Sequence, residues 1–401
     1  MFAWVMAAVL ALAASSAEAT SLREVVRYAL ANDPAIVAAG AQRTAAGFEI
    51  DRARAKHLPT VDVIGSQRLA GTTDSRLGPR LRLNLWASGA IDAEIERERW
   101  REQSLASRLT DQREAIAFDT LSAYFRVLGA RELLAATRAN FGRHAELVDD
   151  FRQIARIDRG RRFDLVQASA RLEQLRFQVA EGEAELAQAS EALTRFYPPG
   201  IDADKLVEPA ALSEPEPLSP ARIQALIDQH PAVLAAQRDL RSAKANVEVA
   251  SASRGPRLDV ETRTGADSFT QLTVSWPAFD PGASTTEASA AASLTGAEAE
   301  VERERRIVNE RLRSAGHAWR TARERSAIAA DQIRVAGQLV EVYREQFGIG
   351  RRNLLDLLNA YAELASAESA AVRSRLEAAQ ARYRIEYAIG RLTLLFTPRP
   401  Q

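Results

Sequence analysis

Asp33-Pro34-Ala35 is followed, 25 residues after Pro34, by Pro59-Thr60-Val61-Asp62-Val63. His230-Pro231-Ala232 is followed, again 25 residues on, by Pro256-Arg257-Leu258-Asp259-Val260. The two stretches lie 197 residues apart. In each, a helix-length segment leads into a proline-opened strand, so the chain carries a long internal duplication. Such a repeat constrains the architecture before any single residue is interpreted.

Working outward, Ser21 with Glu24 has a capping-box pattern that starts a helix, and Asp33-Pro34 interrupts it. A second helix is expected to run to about Lys56. From Pro59, Val61, Val63 and Leu69 mix with Asp62, Gln67 and Arg68. After a turn expected over 70–78, Leu81, Leu83 and Leu85 alternate with Arg80, Arg82 and Asn84. Ala90 to Ile157 holds no proline and little glycine, which predicts one helix of 68 residues, about 100 Å long at ~1.5 Å per residue. Arg159-Gly160-Arg161-Arg162 is read as a turn, with a return helix over Phe163–Phe196. Leu165, Leu172, Val179, Leu186 and Leu193 form a heptad, seconded by Ala168, Leu175, Gly182, Ala189 and Phe196.

After an irregular linker (197–218), Ser219-Pro220 restarts a helix with a cap and a first-turn proline, and the plan repeats. Leu258, Val260 and Thr262 oppose Asp259, Glu261 and Arg263. A turn at Ala266-Asp267-Ser268 leads to Leu272, Val274 and Trp276, opposite Gln271, Thr273 and Ser275. A long helix is expected over Ala283–Gln346, a turn at Gly348-Ile349-Gly350, and a last helix. That helix carries Leu357, Leu364, Ala371, Ala378, Ile385 and Leu392 in register, with Ala360, Ala367, Ser374, Ala381 and Ala388 as a second row. Both seams are read as packing.

Composition narrows the setting. Ala3–Ala14 is an apolar core, and Ala17-Glu18-Ala19 is a small-x-small cleavage site. Residues 1–19 therefore read as a secretory signal, leaving a mature chain of 382 residues from Thr20. No later segment is apolar enough for a transmembrane helix. The chain has no cysteine, which excludes disulfides, thiol catalysis and thiolate metal sites. Basic and acidic residues balance at 53 each, which argues for no polyanionic partner; no nucleic acid is expected. The histidines at 57, 144, 230 and 317 are scattered, and no phosphate-binding loop follows a strand, so no enzyme, metal or cofactor is expected. Trp86, Trp276 and Phe279, near strand ends, are candidate membrane-interface aromatics.

Four two-faced strands near the length that spans a bilayer cannot close a barrel alone, because the smallest bacterial barrels have about eight strands. Open edges are forbidden in lipid, so copies of the chain would have to share the barrel. The competing reading is a non-conducting periplasmic coiled-coil adaptor or scaffold.

The chain resembles the TolC-like outer membrane efflux proteins (the outer membrane factor family). The resemblance rests on the duplicated helix–strand–strand–helix–helix plan and on Asn32-Asp33-Pro34 and Gln229-His230-Pro231. Pro59 and Pro256, Phe279-Asp280-Pro281-Gly282, and the stretch Phe347-Gly348-Ile349-Gly350-Arg351-Arg352-Asn353-Leu354-Leu355-Asp356-Leu357-Leu358 add to it. It implies a mainly α fold with a small β part. Long coiled-coil helical hairpins would form a trimeric α-barrel, capped by a transmembrane β-barrel of twelve strands, four from each chain. The repeats would cover 20–209, with a hairpin at about 60–87, and 210–401, with a hairpin at about 257–277.

The implied function is a passive exit duct in the outer membrane, a homotrimer contacting outer-membrane lipid. A periplasmic adaptor and an inner-membrane transporter would deliver substrate for efflux or type I secretion. By match, Arg352 and Asp356 would belong to the constricting periplasmic ring, with Phe347 at the aromatic position. Asn359 stands where the best-known members carry a second Asp, and Phe347 replaces a hydrogen-bonding Tyr, so the closed state is expected to be the more weakly latched. Asp164-Leu165-Val166-Gln167-Ala168 echoes Asp356-Leu357-Leu358-Asn359-Ala360. Gly160 lies four residues before its Asp and Gly350 six before, so the two turns are expected to differ. Arg159, Arg161, Arg162 and Arg351 at these tips are candidate adaptor contacts.

Overall fold

The computed structural model describes residues 20–67, 75–216, 219–265, 268–277 and 279–397. The expected signal segment 1–19, Leu69 and the Ala266-Asp267 part of the second hairpin turn lie outside them. The elements follow the duplicated plan. The first set is α1 (Leu22–Asn32), α2 (Pro34–Ala55), β1 (Thr60–Gln67), β2 (Ser75–Trp86), α3 (Ala90–Ile157) and α4 (Arg162–Thr194). The second is α5 (Pro220–Asp228), α6 (Pro231–Ala252), β3 (Arg257–Arg263), β4 (Phe269–Ser275), α7 (Pro281–Gly348) and α8 (Leu354–Ala388). No described helix is long and apolar enough to cross a membrane.

Helix starts follow local chemistry. Ser21 Oγ accepts the Glu24 amide at 3.3 Å, and Ser219 Oγ accepts that of Arg222 at 3.3 Å. The capping box at Ser21 is only half built, because the Glu24 carboxylate accepts from the Tyr197 hydroxyl at 3.1 Å instead. The His230-Pro231 break is explained by His230 Nδ1, which accepts the Ala232 amide at 3.2 Å and caps α6.

The chain divides into two compact units. One takes the described residues of Pro34–Arg113 and Leu218–Glu310 and contains the sheet. Its strands form one antiparallel sheet in the order β1-β2-β3-β4. Registered partners share a face, and the register separates two kinds of surface. Val61, Leu81 and Thr262 lie on one face, as do Leu83, Val260 and Leu272, and Trp86, Leu258 and Val274. The other face carries Asp62, Arg80 and Arg263, then Arg82, Glu261 and Gln271, then Asn84, Asp259 and Thr273. Phe269, opposite Arg263, and Ile64, opposite Gly78, are its apolar exceptions. Arg80 donates to Asp62 at 3.1 Å and lies 3.9 Å from Glu261, while Asn84 donates to Asp259 at 2.9 Å.

Two strand expectations need correction. The turn expected over 70–78 is shorter, because Ser75–Gly78 already pairs with β1. Gly78 is a strand residue by close approach: a Cβ there would lie 2.2 Å from the Thr264 carbonyl oxygen. A register shift between Asn84 and Trp86 also drops Leu85 out of the alternation and puts Trp86 opposite Leu258. The strands run 8, 12, 7 and 7 residues.

The second unit takes the described residues of Met1–Asp33, Glu114–Pro217 and Arg311–Gln401. One core cluster gathers Leu121, Tyr124, Leu128, Leu193 and Leu392 among others. The Tyr124 hydroxyl donates within reach of two carbonyls, Val207 at 2.6 Å and Thr20 at 3.0 Å, where Thr20 bridges Leu206. Burial pushes its pKa up to about 12. Buried Glu114 accepts the amides of Leu392 (2.7 Å) and Thr393 (3.2 Å), anchoring a 3-10 turn over Leu392–Leu395. Leu392 thus falls beyond α8, and Phe196 beyond α4, where the heptads had placed them inside helices. A second cluster gathers Val148, Phe151, Val340, Leu354, Leu357, Leu358 and Tyr361.

The expected seams are packing. In α8 all five second-row residues, Ala360, Ala367, Ser374, Ala381 and Ala388, are buried. In α7 a strict heptad, Val301, Val308, Ala315, Ala322, Ala329 and Ala336, is buried too. One residue earlier, Ile328, Val335, Val342 and Ile349 repeat the same heptad and are exposed. Phe163, Val166 and Phe177 make a comparable exposed row on α4.

Candidate functional site

The predicted residues gather at two turns within the second unit, 158–164 and 347–356. At the end of α7 the Gly350 amide donates to the Phe347 carbonyl (3.0 Å) and the Arg351 amide to that of Gln346 (2.9 Å). This is a Schellman closure, and Gly350 supplies its left-handed residue at φ 70°. The following helix is capped by Asn353, whose Oδ1 accepts the Asp356 amide at 2.8 Å.

The first turn is built differently, as its glycine spacing predicted. Asp158 Oδ1 accepts the Gly160 amide at 2.8 Å and caps a 3-10 turn, Arg159–Arg161, that runs into α4. Gly160 is not in the left-handed region.

Both turns place an arginine beside an aspartate at the start of the next helix. Arg161 donates to Asp164 at 3.1 Å, and Arg352 Nη1 lies 3.5 Å from Asp356 Oδ2. Arg352 is further held by Gln346 Oε1 at 3.0 Å and by the Tyr343 ring, 4.4 Å from its guanidinium carbon. Arg161, Gln346, Gly350, Arg351, Arg352, Asn353 and Asp356 line one surface cavity, so residues of the two turns meet there. Asn359 is exposed one turn further along α8. Phe347 is partly buried, its ring 5.6 Å from Phe151 in the core cluster. Gly348 ends α7, and Arg159, Arg162 and Arg351 are exposed.

Sequence reasoning missed Tyr343, Gln346 and Asn353. Tyr343 and Arg352 meet across a reversal of chain direction, where helical periodicity gives no signal. The Asn353 cap was legible, since Asn before an apolar run is an ordinary helix start.

His144 is buried on α3, its ring 5.4 Å from that of Tyr361. Nδ1 donates to the Asn140 carbonyl at 3.0 Å, while His144 Nε2 and Asn140 Oδ1 have no partner among the described residues. Burial holds its pKa below the ordinary value, and Arg171 and Arg143 add to that.

The outer membrane efflux protein family model matches residues 25–197 and 222–391, and the chain belongs to that family. Protein CyaE of Bordetella pertussis is 28% identical over 260 residues, 60% of this chain and 53% of CyaE. Outer membrane efflux protein BepC of Brucella suis is 25% identical over 291 residues, 69% of this chain and 63% of BepC. The chain thus spans somewhat over half the length of these relatives. The solved outer-membrane channel OprN superposes with a TM-score of 0.80 over 92% of this chain and 90% of its own, at 22% identity. At that identity the likeness establishes the fold.

Proposed function

We propose that the chain is one protomer of a homotrimeric outer-membrane duct. It passively conducts substrate delivered by an inner-membrane pump through a periplasmic adaptor, in efflux or secretion. The observation that carries this reading is the sheet. It has an apolar face, a charged face, and outer edges on β1 and β4 that pair with no strand among the described residues. In a bilayer such edges must be closed, and three copies give a closed, water-filled barrel of twelve strands. The exposed apolar heptad of α7 and the exposed apolar residues Phe163, Val166 and Phe177 of α4 supply a second argument, since each can serve as a seam for a helix of a neighbouring copy. The names of BepC and OprN agree with this setting.

The Arg352–Asp356 pair, with Asn359 beyond it, serves as the latch of the periplasmic mouth. Closed tips hold these groups in charge-assisted contacts, and opening exchanges those contacts for water. A ring of Asp356 carboxylates favours cations.

The test is single-channel conductance in a planar bilayer, wild type beside the Arg352→Ala/Asp356→Ala double variant. Small, cation-preferring steps that grow in the variant are expected. Full conductance in both removes the latch and keeps the duct. No conductance from wild type overturns the duct itself.

A further inference from the structure

Within the second unit a cavity of about 390 Å³ is walled by α3, α4 and α8. Its lining includes Arg171 of α4 and Arg373 of α8 and no carboxylate. Neither arginine has an ion pair among the described residues, and Arg171 donates only to the neutral Gln174 side chain, at 2.9 Å. A third cation near His144, Arg143, is already satisfied by Glu368 through two contacts, 3.1 and 2.7 Å. Acidic and basic residues are equal in number along the chain, so two unneutralised guanidinium groups on one cavity are a local excess. They suit an anion.

His144 and Asn140 line the same cavity and are 2% and 6% exposed. His144 Nδ1 meets the Asn140 backbone carbonyl, which can only accept. The proton of the neutral ring therefore sits on Nδ1, and Nε2 is left as an acceptor. Asn140 Oδ1 is a second acceptor, and neither atom has a partner among the described residues. Buried acceptors are normally matched by a donor. The cavity thus combines two demands, negative charge for the arginines and a donor for the acceptors. Water meets only the second, and sulfate, which has no proton at neutral pH, meets only the first.

We propose that this cavity binds a small oxyanion that keeps an O–H of its own, the chemistry shared by hydrogen phosphate and hydrogen carbonate. Arg171 and Arg373 balance its charge, and its hydroxyl donates to His144 Nε2 or Asn140 Oδ1. The hydroxyls of Ser366 and Ser369, on the same wall, supply further donors. Bound there, the ion ties α3, α4 and α8 together within one copy. The site goes beyond the duct reading and does not depend on it. None of its residues belongs to the two turns or to the exposed apolar rows of α4 and α7.

The test is calorimetric titration of the full-length protein in detergent. The buffer is free of oxyanions and held at about pH 8, where His144 is neutral. Phosphate, hydrogen carbonate and sulfate are added at matched ionic strength. At least one of the two protonated ions is expected to bind about tenfold or more tightly than sulfate, and which of them does so identifies the source. Arg171→Gln/Arg373→Gln should weaken the favoured ion about tenfold or more. Both side chains reach solvent, so the change spares the core. Arg176→Gln, on α4 but outside the cavity, should leave binding unchanged. His144→Phe should erase the preference over sulfate. The favoured ion should also slow amide exchange over 366–373 in the wild type. Sulfate binding as tightly as both protonated ions, binding of none of the three, or equal weakening by Arg176→Gln overturns the proposal.

Discussion

Three residues set local limits that a single substitution exposes. His144 is held neutral by burial, with its pKa below the usual imidazole value. At pH well above that value both folded and unfolded chains carry it uncharged, and it adds no pH dependence. As pH falls through the usual value the unfolded chain takes up the proton first, so stability declines on the acid side. His144→Phe, which keeps a ring against Tyr361, should flatten that decline, read as amide exchange in α8 between neutral and mildly acidic pH. Glu114 satisfies two amides from inside the core, and Glu114→Ala leaves them bare. The expected loss is ~2–3 kcal/mol in denaturant unfolding. Gly350 sits at φ 70°, where a side chain costs about 1–2 kcal/mol, so Gly350→Ala should raise amide exchange around 346–353 while leaving α8 beyond Leu364 protected.

At the scale of elements, much was legible in the sequence and the misses have physical causes. Proline punctuation and heptads located the eight α-helices of the described residues, because caps and apolar periodicity are local signals. The start of β2 was misplaced because Ser75 and Gly78 look like turn residues. What makes Gly78 a strand residue is the carbonyl of Thr264, nearly two hundred positions away. The shift at Asn84–Trp86 has the same origin, since pairing with β3 is not written in β2 alone. At the candidate site, the Arg352–Asp356 spacing and the unlike turns were readable. The Tyr343 and Gln346 contacts were not, because they depend on the fold-back after Gly350. The Arg352–Asp356 pair is itself a third or more exposed, and such pairs are worth ~0–1 kcal/mol. The double alanine variant should therefore melt close to wild type while its conductance changes.

For the whole molecule, the decisive feature is a helix with two seams. The buried heptad of α7 is filled by its own chain, while Ile328, Val335, Val342 and Ile349 are exposed, and the proposed duct gives them to a neighbouring copy. Ile328→Glu/Val335→Glu should convert trimers to monomers by light scattering while leaving the helical circular dichroism intact. A loss of both would mean that this row belongs to the fold of the single chain.

A four-stranded sheet whose two edges pair with no strand among the described residues also has a consequence for heredity. In the proposed duct a barrel shared by three copies has no partial form, so one faulty strand in one copy spoils the whole ring. If half the chains in a cell carried such a fault and mixed freely, about one ring in eight would be sound. A defect in the β1 or β4 edge should therefore behave as a dominant allele, whereas a chain that never folds should be recessive.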